Sequence, residues 1–236
     1  MIVVADDLGG DEGRNAAISA ALRAGLVDAA SVLVNGDGFA EAAELVRPFA
    51  SHVGVHLVLT EGDPLTERMR SLRRFCDGDG RYRPWRGDER AFRLDSAERA
   101  AVTAELRAQI ETARRAGLAV SHLDSHHHVH TEPGIAAIAI ALARELGVPR
   151  VRLARNAGAG MGAVNRAWKA VFNTRLRRAG LAGTRWFGGV DDYVHLRARR
   201  GDVDSFEVMV HPVPGVEGGV VDEEHPDLPL AQLLAW

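Results

Sequence analysis

The chain has 236 residues, 46% of them hydrophobic and 26% charged, with a formal net charge of −3, which suits a globular protein long enough to bury a sizeable core. Its basic residues are almost all arginine and are scattered along the chain, so composition shows no nucleic-acid footprint. The single cysteine, Cys76, excludes an intramolecular disulfide and any cysteine-based zinc cluster. No apolar run approaches the roughly 20 residues of a membrane span, and the opening run stops at Asp6, so the expectation is a soluble cytoplasmic protein without a leader.

Met1 to Ala5 is a short β-branched run without alternation, as expected of a strand buried on both faces of a parallel sheet. Asp6 and Asp7 end it, Gly9 and Gly10 turn the chain, and Arg14 to Leu22 reads as a helix closed near Gly25. The pattern repeats with a strand at Ala30 to Val34, a helix from Phe39 to Val46 and a strand at Val53 to Leu59. A polar stretch from Thr60 to about Arg93 follows, too long for a plain connection and expected to be a functional loop insertion. Within it Tyr82 and Trp85 could stack on sugar rings, although aromatics in such loops more often pin the loop to the body.

Ser96 to Ala116 predicts a long amphipathic helix, and Leu118 to Val120 a strand leading into Ser121-His-Leu-Asp-Ser-His-His-His-Val-His130, which holds five of the ten histidines. Further expectations are a helix at Pro133 to Gly147, strands at Arg150 to Leu153, Thr184 to Phe187 and Ser205 to Val210, and a helix at Ala163 to Gly180. Alternating strands and helices argue for parallel βαβ units in a single domain over residues 1–236, as a closed or nearly closed (β/α) barrel; a doubly wound open sheet is the rival. The apolar end, Leu233 to Trp236, would pack on the body or on a second subunit, which leaves a homodimer open.

Asp6 and Asp7, His56, the histidine cluster and His211 all stand at or near the carboxyl ends of predicted strands, the rim where α/β barrels build their sites. Two histidines and a carboxylate suit a divalent cation with positions left open, and such a cation activates water for hydrolysis. Of the tandem acids, one could serve as ligand and the other as base, provided the chain turns where alternation would point them apart. His211, followed by Pro212, could act as a general acid.

The ordered motifs Ala5-Asp-Asp-Leu-Gly9, Val53 to Thr60, His122 to His130 and Glu207 to Pro212 resemble those of the YdjC-like carbohydrate deacetylases, a family that includes chitooligosaccharide and hopanoid-associated deacetylases. The resemblance implies a (β/α) barrel of the polysaccharide-deacetylase type, seven-stranded or otherwise irregular, that removes an N-acetyl group from an amino sugar or small glycoconjugate. It further implies Asp7, His56 and His126 as metal ligands, Asp6 as the base that deprotonates the attacking water, and His211 as the acid for the leaving amine. Asp124, His128 and His130 would orient ligands or face substrate, and Arg152 could hold a carboxylate or a substrate hydroxyl. Magnesium or zinc is the expected metal, with manganese, cobalt or nickel as alternatives. Val4, Leu8 and Val213 depart from the family pattern. Hydrolysis of an O-acetyl ester or phosphoester on the same barrel, or a non-catalytic sugar- or metal-binding module, are the rival functions. His52, His195 and His225 are expected at the surface without partners, and His127 is expected to point away from the site.

Overall fold

The computed structural model describes residues 1–84, 93–158 and 162–235. Its strands β1 (Ile2–Leu8), β2 (Ala29–Val32), β3 (Val53–Leu57), β4 (Leu123–Ser125), β5 (Trp186–Gly188) and β6 (Phe206–Val210) form one parallel sheet in the order β4-β3-β2-β1-β6-β5. The sheet curls into a half-barrel. Two isolated parallel bridges, Leu123 to Val151 and Val151 to Ala182, carry the pairing past β4. β3 is buried along its whole length, and Val53, Val55 and Leu57 on it are fully shielded, which is what a continuous apolar run predicts for a strand covered on both faces.

The helices α1 (Glu12–Arg23), α2 (Phe39–Leu45), α3 (Glu67–Arg70), α4 (Ser96–Arg115), α5 (Pro133–Glu145), α6 (Ala163–Arg178) and α7 (Val190–Arg200) follow from local signals. Asp11 caps α1 by accepting from Arg14 N at 2.9 Å, Asp95 and Glu98 form a reciprocal capping box on α4, and Pro133 occupies the first turn of α5. α4 buries Val102, Leu106, Ile110 and Ala113, one face at helical spacing, and each large apolar side chain so placed contributes about 1.5–3 kcal/mol. Two polar groups on that helix are also buried. Gln109 brackets Val58 through its N–H and carbonyl, and Glu105 accepts from Leu65 N, Thr66 N and Thr66 Oγ1, which fastens the segment after β3.

Several expectations need correction. The fourth strand is not Leu118 to Val120 but β4, inside the histidine motif itself; Gly117 and Val120 both have positive φ and break the backbone before it. Arg150 to Leu153 contributes only the bridge at Val151. The long stretch after Thr60 carries α3 and a Cys76–Tyr82 bridge, and its Met69, Phe75, Cys76 and Tyr82 belong to the core. Tyr82 is therefore a buried pin and not a platform for sugar; Trp85 lies outside the described residues. The Pro- and Gly-rich tail folds as a small antiparallel sheet of β7 (Pro212–Pro214), β8 (Val220–Asp222) and β9 (His225–Pro229), followed by α8 (Leu230–Leu233). Leu230 is fully buried and Leu233 packs on the core, so the described part of the apolar tail folds onto the body.

One glycine on β3 is fixed by what lies against it. A Cβ at Gly54 would sit 2.5 Å from the imidazole of His122, which is itself held by Ser31 Oγ (3.0 Å) and Ser121 Oγ (2.9 Å). Gly54→Ala is expected to destabilise the fold by about 1–3 kcal/mol, read from the midpoint of urea unfolding at unchanged slope.

Candidate active site

The strand β1 solves the problem of its two adjacent acids with a bend. Its pairing with β2 shifts register between Ala5 and Leu8, and Asp7 takes φ +67, in the left-handed region. An unbroken strand would send the two side chains to opposite faces; the bend buries both at the same end of the sheet. Aspartate tolerates this conformation better than most residues, so the local cost is modest.

Register brings in the next groups. His56 on β3 pairs with Asp124 on β4, and its Nδ1 lies 2.8 Å from Asp124 Oδ1, which leaves Nε2 to face Asp7 Oδ1 at 3.2 Å. His126 begins the turn after β4; its Nδ1 is 2.9 Å from the same Asp7 oxygen and its Nε2 is 2.9 Å from Glu61 Oε2. Ligand atoms of Asp7, His56 and His126 all lie within 4.8 Å of one another. Burial alone would raise the Asp7 carboxyl, but hydrogen bonds from His126 and His56 reverse that and hold it well below the usual carboxylate range. Burial likewise opposes charge on His56, yet Asp124 and Asp6 push its proton affinity up to about 10. A buried spot that favours positive charge this strongly, ringed by one carboxylate and two imidazoles, fits a divalent cation.

Arg152 organises the floor of the site. Fully buried, it donates from Nη1 and Nη2 to Asp6 at 2.5 and 2.8 Å and from Nε to Glu207 at 2.5 Å, forms an ion pair with Asp124 through Nη2 at 2.8 Å, and sets its guanidinium 4.9 Å from the Phe187 ring centre. Asp124 is thus shared by His56, Arg152 and Ser31 Oγ (2.5 Å). Burial raises it, and Arg152 with His56 lowers it further than burial lifts it.

The remaining nominated residues divide. His211 directly follows β6, one residue beyond the Ala5–Val210 pair, and its backbone N–H donates to Asp222 Oδ1 at 2.7 Å. His130 is fully buried and bonded to Ser125 Oγ and the Arg152 carbonyl, away from the cleft, and burial pushes it down to about 4. His128 meets Phe187 edge-on at 5.8 Å, and its buried Nδ1 has no hydrogen-bond partner among the described residues. His127 turns toward Thr60 Oγ1 at 3.0 Å. His225 is not a free surface group: it is half-buried between Asp222 and Asp191.

Sequence reasoning missed Glu61, Ser31, Glu207 and Arg14. Arg14 Nη1 stands 3.8 Å from Asp7 Oδ2, and its Nη2 binds Glu223 of the turn between β8 and β9 at 2.9 Å. A cleft of about 340 Å³ opens over Asp7 and His126 and is lined by Asp11, Asp37, Glu61 and Asp63 as well as by Arg14 and Arg81. Glu61 could have been suspected because it directly follows the Val53 to Thr60 motif; nothing in the spacing flags Arg14.

Fold and site together define a parallel α/β protein with a histidine–aspartate centre at the carboxyl rim of its sheet. The chain belongs to the YdjC-like protein family, whose model matches residues 1–226. A carbohydrate deacetylase of Brevibacillus brevis is 35% identical over 223 residues, covering 90% of this chain and 80% of the relative. A carbohydrate deacetylase of Oceanobacillus iheyensis is 31% identical over 221 residues, covering 93% and 85%. Among solved structures, a protein of Enterococcus faecalis V583 provisionally described as a cellobiose-phosphate cleavage protein superposes with a TM-score of 0.69 at 23% identity, over 90% of this chain and 80% of that one, a likeness of fold. Among the described residues no helix is long and apolar enough to cross a membrane.

Proposed function

We propose that the protein is a metal-dependent carbohydrate deacetylase that removes an N-acetyl group from an amino sugar or small glycoconjugate, releasing acetate. The observation that carries this reading is the convergence of Asp7, His56 and His126 on one point, next to an Asp6 carboxylate clamped by Arg152. The names of the two curated relatives support the substrate class. We also read the bridge at Val151 as a seventh strand position, which would close a single-domain barrel of the polysaccharide-deacetylase type between β4 and the segment leading to β5.

Asp7, His56 and His126 would hold the cation, magnesium or zinc first among those the donor set accepts. When bound, it supplies Lewis acidity: it polarises the acetamide carbonyl and makes water a better nucleophile. Asp124 fixes the His56 ring by accepting from Nδ1, so that Nε2 faces inward. Asp6, its two oxygens aligned by Arg152, takes the proton of the water that attacks the acetyl carbon. As the C–N bond breaks, His211 gives a proton to the departing nitrogen, and acetate and a free amine leave. Of the groups that line the cleft outside the proposed ligand set, Asp11, Asp37, Glu61 and Asp63 outnumber Arg14 and Arg81, a balance that favours a neutral acetamide over a phosphoester dianion.

The test is acetate release from a panel of N-acetylated mono- and oligosaccharides, assayed with and without a chelator. Turnover that chelator abolishes and added zinc or magnesium restores is the expected result; no acetate from any N-acetyl sugar, or turnover indifferent to chelator, would defeat the proposal.

A further inference from the structure

The two imidazoles of the candidate centre are strung in the same way. His56 spans Asp7 and Asp124 (3.2 and 2.8 Å), and His126 spans Asp7 and Glu61 (2.9 and 2.9 Å). A ligating histidine that donates its other N–H to a carboxylate has its tautomer and ring orientation fixed. Asp124 meets that description for His56. We infer that Glu61 is the corresponding positioning residue for His126, and that the segment after β3 thereby sets the affinity of the metal centre; this rests on the metal-dependent reading above.

Contacts from Asn35, Tyr82 and Glu105 fix the backbone on which Glu61 stands. Asn35 Nδ2 donates to the carbonyls of Glu61 and Asp63 at 3.1 and 3.3 Å. Tyr82 N donates to the Gly62 carbonyl at 3.0 Å, and Glu105 holds Leu65 and Thr66. The neighbour Thr60 takes His127 while Glu61 takes His126, so two consecutive residues clasp two consecutive histidines. The positive φ of His127 (+52) accompanies this arrangement, with the two rings 4.0 Å apart. Because the Glu61 side chain is 71% exposed, solvent screens its charge, and its contribution belongs at the lower end of what such outer carboxylates supply.

The experiment is competition between the full-length, zinc-loaded protein and a chromophoric chelator, run on wild type, Glu61→Gln and Glu61→Ala. Glu61→Ala is expected to weaken zinc about 10-fold, within the roughly 10–100-fold range for such residues, with one zinc still bound per chain. Glu61→Gln, whose Oε1 still accepts from Nε2–H, should lose less. An unshifted thermal midpoint of the zinc-free variants separates positioning from damage to the fold. Wild-type affinity in both variants overturns the inference alone. A wild-type protein that retains no zinc and binds no other divalent cation overturns both this inference and the metal-dependent reading.

Discussion

Arg152→Met is expected to destabilise the protein by about 3–5 kcal/mol, because it leaves Asp6, Asp124 and Glu207 buried around a vanished charge. That is a large part of the roughly 5–15 kcal/mol a domain of this kind has in total. The size follows from the asymmetry of buried ion pairs: forming one gains little beyond its desolvation, while removing one partner strands the others. Arg152 is fully buried, and burial disfavours its charge, but Asp124, Asp6 and Glu207 together hold it well above its ordinary value. Urea unfolding followed by far-ultraviolet circular dichroism should show either a much lower midpoint or no cooperative transition. A midpoint within experimental error of wild type would mean that the three acids are neutral or rearranged in solution.

The second large effect concerns turnover. Asp6→Asn keeps the size of the side chain and one acceptor for Arg152 but removes the basic oxygen, and is expected to lower kcat by at least about 10²–10⁴-fold, the usual contribution of a positioned acid–base group. Metal content, measured by elemental analysis of the purified variant, should stay at the wild-type level, because Asp6 faces Arg152 while Asp7 faces the two histidines. The structure holds a competing arrangement that makes this worth measuring: donor atoms of Asp6, His56 and Asp124 also lie within 4.8 Å of one another. Their oxygens are engaged by Arg152, Ser31 and His56, which argues against that set as the primary centre. Loss of metal together with activity in Asp6→Asn would move the centre inward to those three residues.

Much of this arrangement was legible in the chain because strand ends concentrate chemistry. The runs that became β1, β2, β3 and β6 are mostly apolar, broken only by single polar residues or by the Asp6–Asp7 pair, and the apolar spacing of α1, α4 and α5 is the face that packing buries. The displaced fourth strand shows the limit of that signal. Leu118 to Val120 has the composition of a strand, but Val120 at φ +55 ends the extended backbone, and the polar Leu-Asp-Ser triplet pairs with β3 because Asp124 has partners waiting in His56, Ser31 and Arg152. The helix α7 went unread because only Val190, Tyr193 and Leu196 mark its buried face among acids and arginines. Glu207 was hidden inside a strand motif, Glu61 stood just past the Val53 to Thr60 motif, and Arg14 owes its position to folding that no local spacing encodes.

The left-handed bend at Asp7 limits how this centre can vary. That backbone conformation is adopted most readily by glycine, asparagine, aspartate and histidine and is disfavoured by β-branched side chains. Of these only aspartate brings an anionic oxygen, so any exchange that keeps the bend gives up the negative charge at position 7. Straightening β1 would turn one of the two acids away from the rim. The bend therefore keeps both acids at the rim without dictating which side chain stands at position 7, and histidine, which takes the same conformation at His127 and His128, is the exchange expected to leave β1 in place.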